Sequence, residues 1–197
     1  TTATGLVSGK TLSGGSGTDT LSVSGSSITN ITSAKLTIET METFDLSLGA
    51  DAGVIVSMFA ADLEAFSTIT GDGTNDLIAP FSGDYALLGS STLSNIEAIF
   101  LNDPAGGFNN GEQAFVINDG ATITGLNNVL GTVNASSAPD DKIVIFGDRD
   151  LSGVTVTNID ALELNSGDGV RQTLGVDFVS TGLARIRGFK TRTGSTS

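Results

Sequence analysis

The residues best placed to do chemistry lie in a glycine-rich stretch near the start of the chain, Gly14-Gly15-Ser16-Gly17-Thr18-Asp19-Thr20-Leu21-Ser22. Its glycines permit a tight turn, Asp19 and the turn's carbonyls offer hard oxygen ligands, and Leu21 is placed to enter a core. That set suits calcium. The competing reading is an Asx-type turn in which the Asp19 carboxylate accepts backbone N–H groups. A second copy, Gly71-Asp72-Gly73-Thr74-Asn75-Asp76-Leu77, keeps two glycines and the leucine and puts Asn75 where the first has Asp19. A third, Pro139-Asp140-Asp141-Lys142-Ile143, has lost the glycines. Asp19, Asn75, Asp76 and Asp141 are therefore the candidate metal ligands.

The chain has no cysteine and no histidine, which removes disulfides, thiolate and imidazole metal sites, and every scheme that needs a histidine base. Any metal must be held by oxygen. The one dense mixed-charge cluster is Asp148-Arg149-Asp150, where an arginine beside acids could handle a proton in a polysaccharide lyase; a groove there would favour a glycan-active or glycan-binding protein. It has no second basic or aromatic cluster near it in sequence. With no Trp, a single Tyr85 and 10 Phe lying mostly in strand-like runs, the aromatics read as core and not as sugar platforms. No catalytic residue is assigned, and the chain is read as a non-enzyme.

Nine basic residues against 22 acidic ones give a net charge of −13, which disfavours nucleic-acid and anionic-membrane partners. No run approaches the roughly 20 apolar residues of a membrane span. Past Asp177 no acidic residue remains, while Arg185, Arg187, Lys190 and Arg192 make a basic end on an acidic protein. Head-to-tail pairing of copies through that end, giving a homo-oligomer or larger assembly, is one expectation. A solvated tail is the other. The start at Thr1, without an initiator Met, is expected of a processed chain or a piece of a longer one.

The elements that must position these residues are short. Leu21-Ser22-Val23, Val54-Ile55-Val56, Phe115-Val116-Ile117, Ile143-Val144-Ile145-Phe146 and Val154-Thr155-Val156 read as strands between Gly, Asn, Asp and Ser turns. A stretch within Asp51 to Ser67 has Phe59, Leu63 and Phe66 at helical spacing and predicts one short helix. Met41-Glu42-Thr43-Phe44-Asp45-Leu46, Ile96-Glu97-Ala98-Ile99-Phe100-Leu101 and Ile159-Asp160-Ala161-Leu162-Glu163-Leu164 share one pattern: apolar, acidic, small, apolar, variable, leucine. They mark a single repeat domain over residues 1–197, in three degenerate blocks near 12–70, 71–130 and 131–190. Each block is long enough for two or three rungs of a solenoid, at about 20 to 30 residues per rung.

The predicted fold is all-β, a parallel β-helix or β-roll solenoid in which Met41, Phe44 and Leu46 stack over Ile96, Ile99 and Leu101 or their counterparts. A β-sandwich is the alternative. Glu42, Glu97 and Asp160 recur at one place in the repeat, either as a solvated outer face or as a stacked row bridged by a cation or a basic neighbour.

The nonapeptide at Gly14–Ser22, followed by segments such as Ser94-Asn95-Ile96-Glu97-Ala98-Ile99, resembles the repeats of RTX-type secreted proteins, RTX adhesins and bacterial surface-layer proteins. The resemblance implies type I secretion, an extracellular or cell-surface location, calcium as a stabilising cofactor, and assembly at the surface. The functional expectation is a structural, self-assembling or adhesive module of a surface layer, filament or adhesin, with a cell-surface glycan as a candidate partner. A glycan-binding or polysaccharide-cleaving β-helix and an inert spacer of a larger exported protein are the alternatives.

Overall fold

The computed structural model describes residues 11–23, 29–30, 37–48, 53–81, 84–101, 113–131, 141–164, 172–174 and 185–188. They form a β-solenoid in which every strand pairing is parallel, so the sandwich alternative does not apply. In chain order the strands begin with β1 (Thr11–Ser13), β2 (Thr20–Ser22), β3 (Thr29–Asn30), β4 (Thr37–Glu39), β5 (Thr43–Asp45) and β6 (Ile55–Phe59). After the single-turn helix α1 (Ala60–Leu63) come β7 (Thr68–Thr70), β8 (Leu77–Phe81), β9 (Tyr85–Leu87), β10 (Thr92–Ser94), β11 (Ala98–Phe100) and β12 (Ala114–Ile117). The last coils hold β13 (Thr122–Thr124), β14 (Asn128–Leu130), β15 (Lys142–Ile145), β16 (Arg149–Leu151), β17 (Thr155–Thr157), β18 (Ala161–Leu164), β19 (Gln172–Leu174) and β20 (Arg185–Gly188).

Three sheets make the sides: β2-β5-β7-β10-β13 on side 1, β3-β6-β8-β11-β14-β17 on side 2 and β9-β12-β15-β18-β20 on side 3. Each coil visits the sides in turn. Ile78, Ile99 and Val129 are register partners on side 2 and mark coils of 21 and 30 residues, within the expected range. The ladders break at two places. On side 3, α1 stands between the β1-β4 pair and β9 and packs on β8 and β9. On side 1, β16 leaves β13 and pairs only with β19.

Short strands suffice because each needs only one or two inward side chains, and parallel register puts like positions on top of each other. Leu21, Phe44, Ile69, Leu93 and Ile123 run up side 1. Val56, Ile78, Ile99, Val129 and Val156 run up side 2, and Phe115, Ile143 and Leu162 up side 3. All but Ile123 are buried, in one continuous core. Ring pairs reinforce it: Phe44 on Phe66 at 5.0 Å between centroids and Tyr85 on Phe115 at 5.7 Å.

The three sequence repeats do not stack on one another as expected. Phe44 is on side 1 between Leu21 and Ile69, Ile99 is on side 2, and Leu162 is on side 3. Each repeat step is two coils plus one side, so the motif marks a corner and not a rung. The helix is also shorter than predicted. The alternation of Val54, Val56 and Met58 makes Ile55–Phe59 a strand, and only Ala60–Leu63 turns.

Glycine positions follow from the corners. Thr40, Asn75, Asn95 and Asn158 have φ of 52°, 60°, 53° and 55°, the left-handed region that turns the chain sharply. The carbonyl oxygen of each lies within the volume that a Cβ would fill on Gly14, Gly53, Gly71 and Gly131 of the preceding coil. Gly71→Ala should therefore destabilise by about 1–3 kcal/mol through overpacking. Gly153→Ala, where a Cβ meets nothing within 4 Å, should be neutral. Urea unfolding midpoints of the two variants check the contrast. The buried Tyr85 hydroxyl has no hydrogen-bond partner, and burial with the nearby Glu64 charge pushes its pKa up. Tyr85→Phe keeps the ring and should leave the midpoint unchanged or raised.

Candidate functional site

Two places gather the residues with chemical potential: the corners, which hold most of the singled-out acids, and the break between β13 and β16. At each corner the residue just before a strand has its N–H directed along the solenoid axis. Five times a carboxylate from the next coil accepts it. Asp19 N–H donates to Glu42 Oε2 at 2.8 Å, Val54 N–H to Asp76 Oδ1 at 2.9 Å and Asp76 N–H to Glu97 Oε2 at 2.6 Å. Gln113 N–H donates to Asp141 Oδ1 at 3.1 Å and Asp141 N–H to Asp160 Oδ2 at 3.2 Å. In three of these pairs the bond is returned: the N–H groups of Glu42, Glu97 and Asp160 donate to the carbonyls of Asp19, Asp76 and Asp141 at 3.1, 2.9 and 2.8 Å. Glu64 Oε1 and Asp84 Oδ1 serve the N–H groups of Ala86 and Ala114 on side 3, both at 2.8 Å.

Glu42, Glu97 and Asp160 thus neither form one row nor make a solvated face. Each stands at a different corner and caps the coil before it. The six acids share a spacing visible in the sequence, each two residues ahead of a buried apolar one: Asp19 and Leu21, Glu42 and Phe44, Asp76 and Ile78, Glu97 and Ile99, Asp141 and Ile143, Asp160 and Leu162. This spacing also corrects the alignment of the glycine-rich loops. Asp76, not Asn75, is the counterpart of Asp19, because Ile78 and not the half-buried Leu77 is the core residue. Asn75 supplies the left-handed turn instead.

The fit to calcium can be judged from the donor set. Asp19, Asp76 and Asp141 lie at three different corners. Asp76, only 1% exposed, takes N–H groups on both carboxylate oxygens, from Val54 on Oδ1 and from Asp72 on Oδ2 at 2.8 Å. Asp141 is fully buried, with Oδ1 taken. Only Asp19 keeps a buried oxygen, Oδ2, without a hydrogen-bond partner, because Gly15 N–H goes to Thr40 Oγ1 at 2.9 Å. Among the described residues no three acidic side chains converge as a metal site requires. The four residues stand at three different corners and do not meet in one common calcium site; the Asx turn of the second loop belongs to Asp72, whose Oδ1 accepts the Thr74 N–H at 2.8 Å, and not to Asp76.

Compared with protein-family models, curated proteins and solved structures, the chain matches none.

The second place is a cleft of about 450 Å³ where side 1 is interrupted. Thr122, Ile123 and Leu126 form one wall; Asp148, Arg149, Asp150 and Leu151 of the next coil form the other. Leu126 and Leu151 are buried, and Asp148 and Asp150 are exposed at the rim. Arg149 is anchored by Nη2 donating to the Asn118 carbonyl. Backbone and hydroxyl bonds from Ser152 hold the Asp150 carboxyl below the usual range, so it is ionised. The cluster singled out in the sequence therefore does border a groove; the residues of the facing wall carry no sequence signal beyond lying one coil earlier. At the basic end, Arg185 and Arg187 lie in β20, in register with Ala161 and Glu163, while Lys190 and Arg192 are outside the described residues.

Burial raises the pKa of both Asp76 and Glu97, and the neighbouring charge of Asp72 adds to it. A raised folded-state pKa means stability that is fully present below the unfolded value, about 4, and lost as pH rises through the folded one. Glu97→Gln keeps an oxygen for the Asp76 N–H and removes one of these charges, so the loss of stability as pH rises above the ordinary carboxylate value, about 4, should shrink. Glu97→Ala strands the Asp76 N–H and should cost about 1–3 kcal/mol. Urea titrations of both variants test this.

Proposed function

We propose that this chain is a rigid, non-catalytic solenoid module of an exported surface structure, working as a self-assembling or adhesive element of a surface layer, filament or adhesin. The observation that carries this reading is the corner caps. Five of the acids singled out in the sequence, Glu42, Asp76, Glu97, Asp141 and Asp160, join one coil to the next through their carboxylates. Such investment yields stiffness and length, which a spacer or building block uses and a catalyst does not require. Among the described residues no helix is long and apolar enough to cross a membrane, which is compatible with an exported chain. The proposed assembly does not route through calcium.

Contact between copies is assigned to charge. The acidic body, at a net −13, offers a counter-surface for Arg185, Arg187, Lys190 and Arg192 of a second copy. Bonds of this kind between exposed groups weaken with salt, since the screening length falls from about 10 Å at 0.1 M to about 3 Å at 1 M.

Light scattering on the purified chain should show growth with protein concentration, reversal at high salt, and no growth when those four residues are changed to Glu. Particles that grow equally well in the four-fold variant would remove the head-to-tail arrangement. A monomer at all concentrations would favour the spacer reading.

A further inference from the structure

We propose that the outer face of side 1 binds crystalline water: a row of threonines across its five strands is spaced to join the surface of ice. This goes beyond the assembly reading and does not rest on it.

Leu21, Phe44, Ile69, Leu93 and Ile123 face the core, so the residues flanking them on β2, β5, β7, β10 and β13 face outward. Thr20, Thr43, Thr68, Thr92 and Thr122 are register partners from each strand to the next and form one unbroken row of threonines across the sheet. A second row, Ser22, Asp45, Thr70, Ser94 and Thr124, lies two residues further along the strands, with Asp45 its one charge. The hydroxyls of the two rows are used differently. In the second row Ser94 and Thr70 share a hydrogen bond at 3.1 Å, and Ser22 donates to Asp45 Oδ2 at 3.4 Å. In the first row, among the described residues, the threonine hydroxyls bond to no protein group and are left for water.

Charge, shape and spacing select the ligand. The row is uncharged on a chain of net charge −13, so it offers an ion nothing that water does not. It runs over the outside of a sheet and encloses no small molecule. It repeats at the strand spacing, about 4.8 Å. In ice each oxygen is bonded tetrahedrally to others at about 2.75 Å, which puts two oxygens that share a neighbour about 4.5 Å apart. Over the four intervals of the row the two spacings drift apart by only about 1 Å. Along the strands the rows stand about 6.6 Å apart, within about a tenth of the 7.3 Å repeat that the same tetrahedral bonds give ice along its long axis. Threonine suits the task because its β-branch makes χ1 stiff and the ladder fixes its backbone, so little ordering remains to oppose binding. One hydroxyl gains nothing over liquid water; a row held in register engages the lattice at every strand at once.

The test is the growth of single ice crystals in solutions of the purified full chain at graded concentrations. Faceted crystals are expected, with a gap between melting and freezing temperatures that widens with concentration. Thr68→Tyr, in the middle of the row, should abolish the gap while far-UV circular dichroism and the urea midpoint hold. Val116→Tyr, on the outer face of side 3, should leave it unchanged. The proposal is overturned if the wild type leaves crystals unfaceted and opens no gap, if the gap survives Thr68→Tyr, or if Val116→Tyr removes it equally. The variant with Arg185, Arg187, Lys190 and Arg192 changed to Glu should keep the gap, because the row holds none of these residues; a failure of assembly and a failure of ice binding are therefore separate results.

Discussion

The solenoid depends on one recurring bond: a backbone N–H at the end of a corner, donated along the axis to a carboxylate of the following coil. Ahead of Asp19, Val54 and Asp76 the chain turns through Gly17, Gly53 and Asn75, all at positive φ, so the N–H before the strand falls outside the regular ladder. Left without a partner in a buried position it would cost about 1–3 kcal/mol. Glu42, Asp76, Glu97, Asp141 and Asp160 remove that cost, and they set the register as well, because a cap reaches only when its coil is aligned with the one before. The apolar ladders supply most of the burial but are less selective, since leucine, isoleucine, valine and phenylalanine replace one another along each side.

Glycine and acid are two halves of the same corner. The turn residue's carbonyl projects toward the preceding coil, where only a glycine leaves room, and its neighbour's carboxylate binds the backbone there. Gly71 shows both demands together: a Cβ would meet the Asn95 carbonyl from the coil ahead and the Asp76 carboxylate of its own loop. The composition, rich in glycine and acid with few other charges, follows from stacking such corners.

Much of the fold was legible in the sequence. Short apolar runs separated by turn residues gave parallel coils of the expected length, and the acidic motif was a true structural repeat. Its meaning was not legible, because copies that look equivalent along the chain stand on different sides of the solenoid, and coils of 21 and 30 residues hide the period. The offset between Asn75 and Asp76 illustrates the difficulty: glycine spacing aligned one, while the distance to the buried Ile78 aligns the other. The cluster Asp148-Arg149-Asp150 was visible as charge, but the cleft beside it arises from β16 failing to pair with β13, a tertiary fact without a local signature.

The most direct measurement of the central claim is native-state hydrogen exchange at the Asp76 amide, in the wild-type chain and in Glu97→Ala. If the corner caps join the coils, this amide is protected in the wild type like those of the strands around it, and in the variant it exchanges faster by a factor larger than any change at Phe115 or Ile143 one side away. An Asp76 amide that exchanges in the wild type as freely as an exposed turn, or that is unaffected by removal of the Glu97 carboxylate, would contradict the account.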